Sequence, residues 1–198
     1  MMLFSEQEMR GYWPWGDLPA NGYGLIMADP PWRFELFSEK GEEKSAQAHY
    51  RTMTLDDIAR LPVAGLADDD CLLWLWATAP MLVKQIEIME SWGFTFKTSG
   101  VWVKTTTNDK IAFGTGYILR NAHEPFLIGT RGNPVTARNV RSVVMGKVRE
   151  HSQKPEESYR AAEQLIPNTR RIEIFSRTNR PGWDAWGDEV GKLNEVAA

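Results

Sequence analysis

Four consecutive residues, Asp29-Pro30-Pro31-Trp32, follow the apolar run Tyr23-Gly24-Leu25-Ile26-Met27-Ala28. The run reads as a short buried strand. Neither proline can donate a backbone hydrogen bond and both fix φ, so the strand cannot continue as a central ladder. The result is a stiff corner that carries a carboxylate and a large aromatic. A fixed hydrogen-bond acceptor beside a stacking surface, just past a strand end, is a place to hold a polar, planar group.

Other residues that could do chemistry have plainer readings. Cys71 is the one cysteine, so neither a disulfide nor a cysteine-based metal site can form within the chain, and the setting reads as reducing cytosol. It lies in the apolar run CLLWLWA and reads as a core residue rather than a nucleophile. His49, His123 and His151 lack the spacing of a metal site, and no metal is expected. The glycines of GTG, Gly114 and Gly116, do not complete a dinucleotide fingerprint and read as a loop. No phosphate-binding GxxxxGK[ST] motif occurs.

The elements that must position the corner alternate between strand and helix. After the strand at 23–28, residues 33–53 read as a polar loop. Thr54 caps a short helix over LDDIARL, with Asp57 at its third position. CLLWLWA (71–77) is a second buried strand. Pro80 opens a helix with Leu82, Ile86 and Met89 on one face and Gly93 past its end. Strands are expected at 94–104 and 124–131, with a loop between them. Residues 131–152 read as irregular and basic. Pro155 opens a helix over EESYRAAEQLI, a last buried strand covers 170–177, and the tail from Pro181 reads as a closing helix. Strands spaced by helices argue a mostly parallel sheet covered on both faces. Ligands of such sheets sit beyond the carboxyl ends of strands, where Asp29–Trp32 and Ser176–Asn179 both fall.

A chain of 198 residues can fold around one core, and no linker divides it, so residues 1–198 read as a single domain. A 42% hydrophobic and 25% charged content is ordinary for a globular protein. No run reaches transmembrane length, so no membrane partner is expected. A net charge of -3 gives no global sign of a nucleic-acid binder. Between Arg131 and Arg149, however, Arg131, Arg138, Arg141, Lys147 and Arg149 occur with no acidic residue among them. That run reads as a phosphate-contacting patch for DNA or RNA. Most of the nine tryptophans read as core.

The Asp-Pro-Pro-Trp corner resembles the catalytic tetrapeptide of amino-group methyltransferases that use S-adenosylmethionine. The similarity extends from Tyr23 to Val190. It runs through ADPPW, HYRTM, LLWLWAT, WGFTFKTSGVWVK, GTGYILRNAHEPFLIGTRGNP, VRSVV, HSQKPEESY, RRIEIFSR and GWDAWGDE. These stretches, in this order, resemble the MT-A family, named after the seventy-kilodalton subunit of the eukaryotic mRNA adenosine methyltransferase. The resemblance implies an α/β, Rossmann-like methyltransferase fold with permuted motif order. It implies S-adenosylmethionine as cofactor, and a site-specific adenine-N(6) methyltransferase of compact bacterial or phage type, cytoplasmic, alone or as a homodimer or heterodimer.

The same resemblance assigns roles. Asp29 and the Pro30 carbonyl would accept the two N–H bonds of the target amine, drawing the nitrogen toward tetrahedral geometry and freeing its lone pair. Pro31 and Trp32 would shape the pocket around a base flipped out of any duplex. His49 and Tyr50 would lie on a loop over that base, and Lys104 and Glu124 near it. Apart from the resemblance, the basic run itself points to Arg131, Arg138 and Arg141 as meeting phosphates. Asp29 also borders the cofactor, Lys154 would meet its carboxylate, and Phe175, Arg177 and Asn179 would flank it. Asp188 and Glu189 would contact its ribose, although the family commonly has asparagine where this chain has Asp188. Compact size favours DNA as substrate. RNA, a non-catalytic partner subunit, or a small-molecule or protein amide are the alternatives.

Overall fold

The computed structural model describes residues 12–32, 52–116, 118–149 and 153–193. An inner strand of its sheet is β1 (Tyr23–Ala28), every residue of which is buried. On one side β1 pairs in parallel with β2 (Ala67–Trp76), and on the other with β6 (Arg171–Ile174). Cores lie on both faces of β1, and a strand buried on both faces has no room for polar alternation, which is why YGLIMA is apolar throughout. β3 (Thr95–Thr105), β4 (His123–Arg131), β5 (Val143–Lys147) and β7 (Asp184–Trp186) complete a sheet of seven described strands, in the order β5-β3-β4-β2-β1-β6-β7. β4 runs antiparallel to both its neighbours, and every other pairing is parallel. The mostly parallel, Rossmann-like α/β sheet is thereby established.

Side chains divide by strand parity. Ile26, Ala28, Cys71, Leu73 and Leu75 enter one core with Ile58 of α1 (Leu55–Ala59) and Ile88 and Met89 of α2 (Leu82–Ser91). Leu25, Met27, Leu72, Trp74 and Trp76 enter a second core on the other face with Tyr159 and Ala162 of α3 (Glu156–Leu165). Helices thus cover both faces. Thr54 caps α1 as expected: its hydroxyl oxygen accepts from the Asp57 amide at 3.1 Å and its hydroxyl donates to the Asp57 carboxylate at 2.7 Å. The nine tryptophans are all buried or half-buried.

Two expectations need correction. The stretch 131–152 is not irregular throughout: β5 lies inside it, parallel to β3, with Val144 and Gly146 facing the core and Val143, Met145 and Lys147 outward. The tail forms strand β7 rather than a helix. Gly182 adopts a positive φ of 79° just before it. Just after it, a side chain on Gly187 would lie 2.8 Å from the Ser176 carbonyl oxygen, so the chain there hugs the exit of β6 rather than coiling.

Candidate active site

The corner after β1 is built as its residues require. The Asp29 amide donates to the Ile174 carbonyl across to β6, and the Trp32 amide donates back to the Pro30 carbonyl at 2.8 Å. A carbonyl has two lone pairs, so this bond leaves Pro30 room for a second donor, but Pro30 is buried and is not among the residues lining the cleft. Trp32 differs from expectation: it is 5% exposed and its indole N–H donates to the Trp76 carbonyl at 3.3 Å. It props the corner from inside the core and offers no face for stacking. Pro31 does face the cleft.

That cleft, of about 610 Å³, is bounded by Asp29, Pro31 and Met53 on one side and by Phe175, Arg177, Trp186, Asp188 and Glu189 on the other. The two strand ends, at Ala28 and Ile174, are adjacent through the β1–β6 pairing, although about 145 residues separate them in the chain. Phe175 turns the chain with φ +63° and sets its ring edge-on to Trp186, 5.6 Å between centroids. The turn is held from below by Glu173. Its buried carboxylate accepts from the Ser176 hydroxyl at 2.7 Å and the Tyr159 hydroxyl at 2.8 Å. Burial pushes the Glu173 carboxyl above the usual carboxylate range, against the pull of those two donors. Arg177 pairs with Glu189 at 2.8 Å.

Behind the corner runs a chain of charges that crosses the sheet. The Lys154 ammonium lies 2.9 Å from an Asp29 carboxylate oxygen, and it also donates to Glu124. Glu124 in turn pairs with Lys104 at 3.0 Å. Both ammonium groups sit over indole rings, Lys154 over Trp76 at 5.1 Å and Lys104 over Trp102 at 4.8 Å. Burial pushes the Asp29 carboxyl above its ordinary value; Lys154 opposes this and the Glu124 charge adds to it. Burial acts the same way on Glu124, but two lysines outweigh it and hold that carboxyl low. Burial disfavours the Lys154 ammonium, and the two carboxylates reverse that and raise its pKa. One buried lysine thus serves two carboxylates.

Of the residues singled out in the sequence, Asp29, Phe175, Arg177, Asp188 and Glu189 share the cleft, and Lys104, Glu124 and Lys154 form the charge chain next to it. Asn179 is exposed and is not among the residues lining the cleft. His49 and Tyr50 lie outside the described residues. The basic run is split by β5. Arg131 pairs with Cys71 at the end of the sheet away from Asp29, and its guanidinium donates to the Ala64 carbonyl at 2.8 Å. Arg138 follows Ala137, whose amide donates to Leu165 at the far end of α3. Arg141 borders a second depression, of about 420 Å³, with Lys97, Trp74 and Phe126. Those three arginines are therefore not part of the Asp29 cleft. Sequence reasoning passed over Glu173 and Trp186. The signal for Glu173 was a lone acid within the apolar strand RIEIF. Cys71 is fully buried, and burial pushes its thiol up to about 12, which leaves it inert.

The cleft suits S-adenosylmethionine by its donor set. Carboxylates at Asp29, Asp188 and Glu189 can receive an ammonium and ribose hydroxyls, and Phe175 and Trp186 offer aromatic surface to a purine. The sequence model of the MT-A70 family matches residues 23–189, a span that begins with β1 and ends at Glu189 on the far wall of the cleft. The chain belongs to the MT-A70 family. Among its relatives is the Type II methyltransferase M.MunI of Mycoplasma sp, 33% identical over 192 residues that cover 87% of this chain and 80% of that protein. A probable N(6)-adenosine-methyltransferase MT-A70-like of Oryza sativa subsp. japonica is 34% identical, and the N(6)-adenosine-methyltransferase catalytic subunit METTL3 of Homo sapiens is 32% identical. The matches cover 24% and 29% of those two longer proteins. As an MT-A70 protein, the chain is an S-adenosylmethionine-dependent methyltransferase.

Proposed function

We propose that this protein methylates the exocyclic N(6) amine of adenine in DNA. The observation that carries the reading is Asp29, fixed on the rigid corner after β1 and open to a cleft whose other wall is the β6–β7 exit. Adenine's exocyclic amine is a poor nucleophile because its lone pair is delocalised into the ring. The Asp29 carboxylate can accept an N–H bond from it, which localises the nitrogen lone pair for attack. S-adenosylmethionine, when bound, supplies an electrophilic methyl group on a sulfonium. Transfer of that methyl group from sulfur to nitrogen would leave the amine with a surplus proton, which would pass first to the acceptor already holding it, Asp29. Lys154, 2.9 Å away, favours Asp29 as the charged acceptor that this step needs. Lys104 and Glu124 would border the base, Phe175, Arg177, Asp188 and Glu189 the cofactor, and Lys154 would exchange part of its pairing with Asp29 for the cofactor's carboxylate.

DNA is favoured because a relative matched along most of both chains is named a Type II methyltransferase. The relatives named N(6)-adenosine-methyltransferases are matched over 24% to 29% of their length. The test is methyl transfer from labelled S-adenosylmethionine to unmethylated DNA and, in parallel, to RNA, read by nucleoside mass spectrometry. N(6)-methyldeoxyadenosine, lost in Asp29→Asn, is the expected result. Label in RNA alone would replace the polymer, and label in neither would overturn the reading.

A further inference from the structure

The loop between β3 and β4 carries four large apolar side chains in the open: Ile111 at 65% exposure, Phe113 at 82%, Ile118 at 86% and Leu119 at 82%. Single exposed hydrophobics are ordinary, but four within nine residues are not. The loop is not a slack connection. The Gly114 amide donates to the Asn121 carbonyl at 3.0 Å and the Asn121 amide donates to the Thr115 carbonyl at 3.1 Å, so its two legs are bonded to each other. The two glycines of GTG make this possible. A side chain on Gly114 would lie 2.4 Å from the Asn121 oxygen, and one on Gly116 would lie 1.9 Å from the Leu119 oxygen. Both legs are also bonded to the backbone of Lys104, which donates to the Ala122 carbonyl and accepts from the Ala112 amide. The finger therefore stands on the residue that ends the charge chain from Asp29, at the same end of the sheet as the cleft. Exposed cations flank it: Lys110 and Arg120 on the loop and Lys147 beside it, the last facing the loop's one carboxylate, Asp109.

We propose that this finger is a wedge that enters a nucleic-acid duplex and fills the space left when the target adenine swings into the cleft, with Ile118 and Leu119 at its tip. The proposal rests on the reading of an adenine substrate in DNA. A base inside a duplex is out of reach of Asp29, and extruding it costs a few kcal/mol of lost stacking. Apolar side chains inserted between base steps offset that cost, and cations beside them hold the phosphates. The chemistry of the finger, apolar at the tip and cationic at the flanks, matches such a partner.

The wedge is needed on a duplex and not on a single strand, and the test uses that difference. The double variant Ile118→Ser/Leu119→Ser is compared with wild type on unmethylated genomic DNA, native or heat-denatured, with labelled S-adenosylmethionine. Both positions are exposed, so folding should survive, which circular dichroism checks. The expected result is a loss of about tenfold or more on native DNA with near wild-type transfer to denatured DNA, and recovery on native DNA by Leu119→Met with Ile118 intact. Equal effects on both forms, whether large or absent, would overturn the wedge. If light scattering shows that the wild type is a dimer and the variant a monomer, and both substrates suffer alike, the finger is a subunit contact instead. Wild-type protein active on denatured DNA alone also overturns the wedge while leaving the adenine reading intact. Wild-type protein silent on both overturns the two together.

Discussion

Replacing Asp29 by alanine would do more than remove an acceptor, because its carboxylate is also a counter-ion of buried Lys154. The lysine would keep Glu124, so the expected loss is about 1–3 kcal/mol in denaturant unfolding, with methyl transfer abolished. Asp29→Asn keeps an acceptor oxygen facing Lys154 and should stay closer to wild-type stability while still losing activity, which makes it the cleaner probe. The closeness of the two carboxylates has a second consequence. Transfer requires Asp29 ionised, and burial together with the Glu124 charge raises its pKa, so activity should fall at a pH above the ordinary carboxylate range as the medium is acidified. Glu124→Gln removes one source of that elevation and leaves Lys154 wholly to Asp29. The acid limb of the pH–rate profile should then move to lower pH, whatever happens to its height. An unmoved limb would mean that another group sets it.

At the scale of elements, the cleft depends on the β6 exit holding its left-handed turn at Phe175. Ser176→Ala deletes the hydroxyl that donates to Glu173 and leaves that buried carboxylate one donor poorer. Calorimetry should show S-adenosylmethionine bound several-fold more weakly, with roughly 1 kcal/mol of stability lost. The elements that build this region were unequally legible. β1 and its corner could be read because an all-apolar run ends in two prolines, and α1 because Thr54 and Asp57 mark its start. β5 has five residues, one a glycine and one a lysine, and its buried positions reduce to Val144 and Gly146, so no periodicity shows. β7 has three residues, all half-buried, and is defined by its partner rather than by its own sequence. The pairing of Lys154 with Glu124 and Asp29 joins positions 30 and 125 residues apart, which local patterns do not encode.

For the whole molecule, the hidden strand changes where positive charge can matter. β5 carries the chain from the far edge back to the Asp29 end, so Lys147 emerges beside the loop finger while Arg131, Arg138 and Arg141 stay behind. Reversing charge at Arg138 and Arg141 should therefore leave DNA affinity and its salt dependence nearly unchanged. Lys147→Glu should weaken binding and flatten the salt slope by about one. Among the described residues no helix is long and apolar enough to cross a membrane, and no cluster of acidic, histidine or cysteine side chains could hold a metal ion.

The wall of the cleft that faces Asp29 is made by residues 175–189, about 145–160 positions later in the chain. A ribosome adds roughly 5–20 residues per second, so on the order of ten seconds or more pass between the synthesis of the two walls. During that interval β1 has β2 on one side and nothing to bond on the other, and the nascent chain has an acceptor corner but no place for the methyl donor. The enzyme is thus inert until β6 and β7 have been made, and a truncated translation product ending before β6 carries Asp29 without the means to use it.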